Sequence, residues 1–115
     1  MGEQTRNERV ARNESTFRDA NEKLRDLFER EYEDEPRLPF LCECADPRCT
    51  KVVMLSLDEY AHVREHPARF LTLHGHEEPD TETVVDVEGR YQVVQKRGQA
   101  AAVARSLAPR RPSAA

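Results

Sequence analysis

Apolar residues recur at two different intervals along the chain, and the switch between them divides it. Over residues 6–33 Val10, Phe17 and Leu24 return every seven positions, Ala20 and Leu27 fall between them, and Phe28 widens the stripe. No Pro or Gly interrupts this run before Pro36. The pattern predicts one long helix. Glu22–Arg25 and Asp26–Arg30 lie at helical spacing and support its exposed face. Asn13 occupies an expected apolar position, so the stripe thins toward the N-terminus. The expectation is a frayed start and packing on the helix's own domain from about Phe17 onward, rather than a coiled coil.

Pro36 and Pro39 end the helical pattern, and short β-branched runs replace it. Residues 40–42 and 51–55 read as two strands joined by a turn at Asp46-Pro47-Arg48. Ser56-Leu57-Asp58-Glu59 is a capping-box sequence, which predicts a helix over 57–65 that Pro67 stops. Residues 70–73 suggest another short strand, and 74–80 a polar loop. Residues 83–87 and 91–95 suggest a hairpin around Glu88-Gly89-Arg90, with Gly89 supplying a positive φ. The alanine-rich stretch 99–107 predicts a last short helix. The fold class that results is α+β: a long N-terminal helix, a small antiparallel sheet, a short middle helix and a short C-terminal helix. Its organisation is a charged helix over 1–35, a small α+β domain with the cysteines over 36–107, and a disordered tail over 108–115.

Composition sharpens this picture. Hydrophobic residues make up 37% of the 115 and charged ones 35%, so the core is small and gains from a staple such as a metal or a partner chain. No apolar window approaches the roughly 18 residues of a membrane span, and the N-terminus lacks a secretory signal. The expected location is the cytoplasm, with the charged helix as the surface for a protein partner. Residues 96–115 carry five basic side chains and no acidic one. Beside an acidic body this is a weak nucleic-acid footprint, and nucleic acid is not the expected partner.

Three cysteines are an odd number for a disulfide framework, and they fall within eight residues as Cys42-x-Cys44-x4-Cys49. On a strand, residues two apart share a face, so Cys42 and Cys44 present both sulfurs to one side, and the Asp46-Pro47 turn returns Cys49 toward them. Three convergent thiolates suit a tetrahedral zinc ion with one further ligand. His76 is the preferred fourth ligand and His74 the alternative, ahead of His62 and His66 near the end of the middle helix. Three reduced, packed thiols are the plainer account of the same residues. No Gly-rich phosphate loop, HExxH or GxSxG is present, and Asp58 and Glu59 are accounted for by helix capping, so no catalytic residue is assigned.

Phe40-x-Cys42-Glu43-Cys44-x4-Cys49, then Leu57-x-x-Tyr60-x-x-Val63-Arg64, then Gly75-His76-Glu77, resembles a family of small uncharacterised bacterial proteins of high-GC actinobacteria. An excess of Arg (15) over Lys (3) fits such a genome. The resemblance spans about residues 6–98 and singles out Cys42, Cys44, Cys49, Tyr60, Arg64 and His76. It implies no activity, and it favours His76 over His74. Together these features predict a non-enzymatic, zinc-stabilised module acting through protein contacts. The rivals are a thiol redox sensor and, last, a weak nucleic-acid-associated protein.

Overall fold

Helix α1 (Gly2–Glu31) runs for 30 residues before the chain turns at Pro36. The computed structural model describes residues 2–109, with side chains from Arg6 on. Most of the expected tail, 110–115, lies outside the described residues.

Strands β1 (Leu38–Leu41) and β2 (Val52–Leu55) pair antiparallel, with Leu38 opposite Leu55 and Leu41 opposite Val52. Alternation sends Leu38, Phe40, Val53 and Leu55 inward and leaves Val52 and Met54 exposed. Helix α2 (Leu57–Arg64) follows at once. Its capping box is complete: Glu59 N donates to Ser56 Oγ at 3.0 Å, and Ser56 N donates to Glu59 Oε1 at 2.8 Å. Strands β3 (Arg69–Thr72), β4 (Glu82–Val87) and β5 (Gln92–Lys96) form a second antiparallel sheet in the order β3-β5-β4. Helix α3 (Gly98–Ser106) closes the fold against α1. The α+β arrangement is the one the sequence predicts, with the strands divided between two small sheets. One detail differs. Gly89 does not take a positive φ at the β4–β5 turn; Gly75 (φ 84°) and Gly98 (φ 56°) do.

The main core gathers Phe28 of α1, the inward residues of β1 and β2, Tyr60 and Val63 of α2, and Leu71 and Val93. Tyr60 stacks on Phe40 at 4.3 Å with 3° between the rings, and Phe28 stands edge-on to Phe40 at 5.4 Å. Cys42 and Cys44 belong to the same cluster.

Helix α1 departs most from the expected packing. Its buried positions are Ala11, Glu14, Ser15, Arg18, Asn21, Glu22 and Phe28. That is helical periodicity written in polar residues. Val10, Phe17, Ala20 and Leu24 are only half-buried along its flank, and Leu27 is exposed. The N-terminal half is also packed well before Phe17: Ala11 meets Ala100 and Val103 of α3.

Polar side chains hold this face. Arg18 donates to Pro67 O at 2.7 Å and Ala104 O at 2.9 Å while its guanidinium lies over the Phe70 ring. Lys96 Nζ pairs with Glu14 and, at 2.8 Å, with Glu82, all three side chains being fully buried. Asn21 meets the outer edge of β1, its Nδ2 donating to Leu41 O at 2.9 Å and its Oδ1 accepting from Leu41 N at 2.8 Å.

Candidate metal centre

Two segments build the cluster. The first continues β1: Cys42 N donates to Lys51 O at 3.1 Å, which keeps the chain extended through Cys42-Glu43-Cys44 and sends both cysteines to one face. Asp46 then turns it, accepting from Arg48 N through Oδ1 at 2.9 Å and from Cys49 N through its carbonyl at 3.1 Å. An Asx turn of this kind is what an Asp-Pro sequence favours. The second segment follows β3. His76 N donates to Leu73 O at 3.1 Å, and Gly75 takes φ 84° in the turn position that excludes most side chains.

The two turns bring Cys42, Cys44, Cys49 and His76 together, with one donor atom from each lying within 4.8 Å of all the others. His76 Nδ1 is 3.6 Å from Cys42 Sγ and 3.9 Å from Cys49 Sγ. A tetrahedral ion with Zn–N near 2.0–2.1 Å and Zn–S near 2.3 Å would place such nitrogen and sulfur atoms about 3.6 Å apart. The group is therefore a Cys3His cluster able to coordinate a metal ion. His74, at the corner of the same turn, is exposed, as are His62 and His66, and none of the three belongs to the group.

The electrostatics of the cluster follow from three acids in one place. The hydrogen bond from Cys42 holds the Cys44 thiol down at about 5, with help from His76. That same bond, together with burial, pushes Cys42 up, and burial raises Cys49. Without a cation the three thiols cannot all ionise so close together, and they share their protons as a coupled group. A bound cation would remove the mutual penalty and displace the remaining protons. The backbone also supplies donors: Leu73 N lies 3.4 Å from Cys42 Sγ, and Lys51 N bonds Cys49. A cleft of about 270 Å³ opens beside the cluster between Cys44, Asp46, His76 and Glu78. The larger cleft, about 610 Å³, lies between the end of α1 and the start of α2, and carboxylates rather than thiols or imidazoles line it.

Behind the ligands sits a residue that the ligand spacing does not single out. Glu43, between the two cysteines, points the opposite way and is fully buried. Its Oε1 accepts from Arg64 Nη2 at 2.7 Å and Leu71 N at 3.0 Å, its Oε2 from Asn21 Nδ2 at 2.8 Å, and its own N–H donates to Leu71 O at 2.8 Å. One carboxylate therefore ties the cysteine segment to α1, α2 and β3. The alternation that puts Cys42 and Cys44 on one face implies that Glu43 faces the interior, which was the available signal. Arg64 acts as its partner, and Tyr60 packs in the core beside it. On the other segment, Glu77 accepts from Gln92 Nε2 at 2.8 Å and Glu78 N donates to Glu82 Oε1 at 2.7 Å, which anchors the histidine loop to β4 and β5.

No family model, curated protein or solved structure matches this chain. Among the described residues no helix is long and apolar enough to cross a membrane. What fold and site define is a small α+β module with a potential Cys3His metal-binding cluster.

Proposed function

We propose that the chain is a zinc-stabilised, non-enzymatic module that works in the cytoplasm through contacts with other proteins. The observation that carries this reading is the convergence of Cys42, Cys44, Cys49 and His76, donated by two separate segments, within 4.8 Å. Soft thiolates with one imidazole suit zinc over the harder cations, and four protein ligands close a tetrahedral shell with no position left for a substrate. A closed shell supports a structural role. The outward face of α1, with Arg9, Arg12, Asp19, Lys23 and Arg30 exposed, is the surface this reading assigns to a protein partner. The same reading keeps the chain beside the actinobacterial family whose C-E-C pattern it resembles.

Elemental analysis of tag-free protein purified under reducing conditions should find about one zinc per chain. Cys44→Ser should lose the metal and much of the stability, since structural zinc supplies about 10–16 kcal/mol of apparent affinity. His76→Ala should lose it where His74→Ala does not. A chain that holds no metal and stays folded in chelator would defeat the reading.

A thiol redox sensor is the second reading, favoured by the place of Cys44 on the wall of the open cleft. Peroxide would then convert two of the thiols to a disulfide, being itself reduced to water, and would expel the metal. Zinc retained under millimolar peroxide would rule this out.

A further inference from the structure

The two segments that supply the ligands meet directly at the cluster and where Glu43 and Leu71 bond each other, and both are also fastened to the same helix. On the cysteine segment, Asn21 of α1 bonds the backbone of Leu41, one residue before Cys42, and the carboxylate of Glu43, one residue after it. On the histidine segment, Arg6 of α1 pairs with Glu78 at 3.5 Å and Asp80 at 3.2 Å. Glu78 N bonds Glu82, whose carboxylate pairs with Lys96, and Lys96 pairs in turn with Glu14 of α1. The helix thus spans the cluster as a splint, meeting one segment at Asn21 and the other directly at Arg6 and, through Lys96 and Glu82, at Glu14.

We infer that α1 is a positioning element of the metal centre, so that metal occupancy and docking of its N-terminal half are one coupled equilibrium. The inference rests on the zinc reading above and adds to it that the site responds to the state of a helix that provides no ligand. The physical basis is the polar character of the docking face. Buried hydrogen bonds and ion pairs lose their stabilisation over displacements that an apolar contact tolerates, because a separated partner is left desolvated and unpaired. Opening the Cys3His cluster frees the His76 turn, which lies beyond the Glu43–Leu71 bonds, to move away from the cysteines, and a single rigid helix cannot follow both. Either Asn21 or the Glu14–Arg6 end must let go. By linkage, whatever factor the metal contributes to docking, docking returns to metal affinity.

The test uses the full chain with zinc, and then with excess chelator under reducing conditions. Backbone amides of residues 6–21 should exchange at least tenfold faster in chelator, and by a clearly larger factor than those of β3 and β5. In a zinc competition assay, Asn21→Ala should weaken affinity about tenfold, and Arg6→Ala, whose ion pairs are exposed, about twofold, with Arg6→Lys restoring it. Lys23→Ala, on the exposed face of the same helix, should leave affinity unchanged. The visible bands of the cobalt(II)-loaded Asn21→Ala protein should shift, reporting displaced ligands rather than general loosening. If zinc binds but its removal speeds exchange in no element or equally in all, or if Asn21→Ala binds zinc as tightly as the parent, the coupling is absent while the zinc reading stands. Should the chain bind no zinc at all, the zinc reading falls and this inference with it.

Discussion

At its C-terminal end α1 meets the body of the protein through Phe28, edge-on to Phe40, which stacks on Tyr60. Two and more turns earlier the same helix meets it through Asn21, Arg18 and Glu14, each of them buried and each bonded or ion-paired to a named partner. The two regions hide comparable side chains from water and obtain different properties from doing so. An aromatic cluster is non-directional: it survives small shifts and conservative replacement. A buried charge network is stringent, because each charge is tolerated only while its partner is in place. The apolar end sets where the helix sits, and the polar half sets what has to be true of the rest of the molecule for it to stay there.

This contrast can be broken experimentally. Lys96→Met should have the largest effect, about 3–5 kcal/mol, because it strands two carboxylates in a dry interior. Adding Glu14→Leu and Glu82→Gln should recover most of that loss in urea unfolding. No recovery would mean that the ammonium matters by itself. Phe40→Leu keeps the apolar end apolar and should cost less, about 1–2 kcal/mol, despite removing a stacked ring.

The pH response should separate the two regions again. Burial and the neighbouring Glu82 raise Glu14 well above its ordinary value of 4.5, against the pull of Lys96. An acid whose folded-state value lies above its unfolded one binds more protons when folded. Its contribution is therefore most favourable below about pH 4.5 and declines as the pH climbs toward the folded value, by at most about 1.4 kcal/mol per unit. Glu14→Gln should flatten that decline in stability measured from pH 4.5 upward, while Phe40→Leu should leave its slope untouched. Ser56→Ala, which removes the α2 cap, touches neither region and should cost about 1 kcal/mol in thermal unfolding.

How much of this was legible in the sequence depends on whether the signal was local. The α2 cap, the strands flanking Asp46 and the C-x-C spacing are short-range patterns, and each appears in the structure at the residues that carry it. The buried face of α1 escapes hydrophobic periodicity, which equates burial with apolarity. Glu14, Arg18 and Asn21 repeat at helical spacing, but nothing local says that Lys96, Ala104 and Leu41 wait for them. For the same reason nothing local marks Glu43 as more than the residue between two cysteines. The hairpin position of Gly89 predicts a positive φ, whereas the turn closes with Glu88 N donating to Tyr91 O and needs no left-handed residue there.

The asparagine clasp on β1 also bears on how the protein behaves in a crowd. A two-stranded ribbon with Val52 and Met54 exposed on one face is a template on which another chain could build a sheet. Cys42 N–H bonds Lys51 O, so alternation turns the backbone groups of Pro39 and Leu41 toward the outer edge of β1. Pro39 has no N–H to offer, and both polar groups of Leu41 are taken by Asn21. On the opposite edge Arg90 Nε occupies Met54 O at 3.0 Å. Side chains that cannot be extended thus take Leu41 on one edge and Met54 O on the other, which shortens the run of free backbone groups open to intermolecular sheet growth.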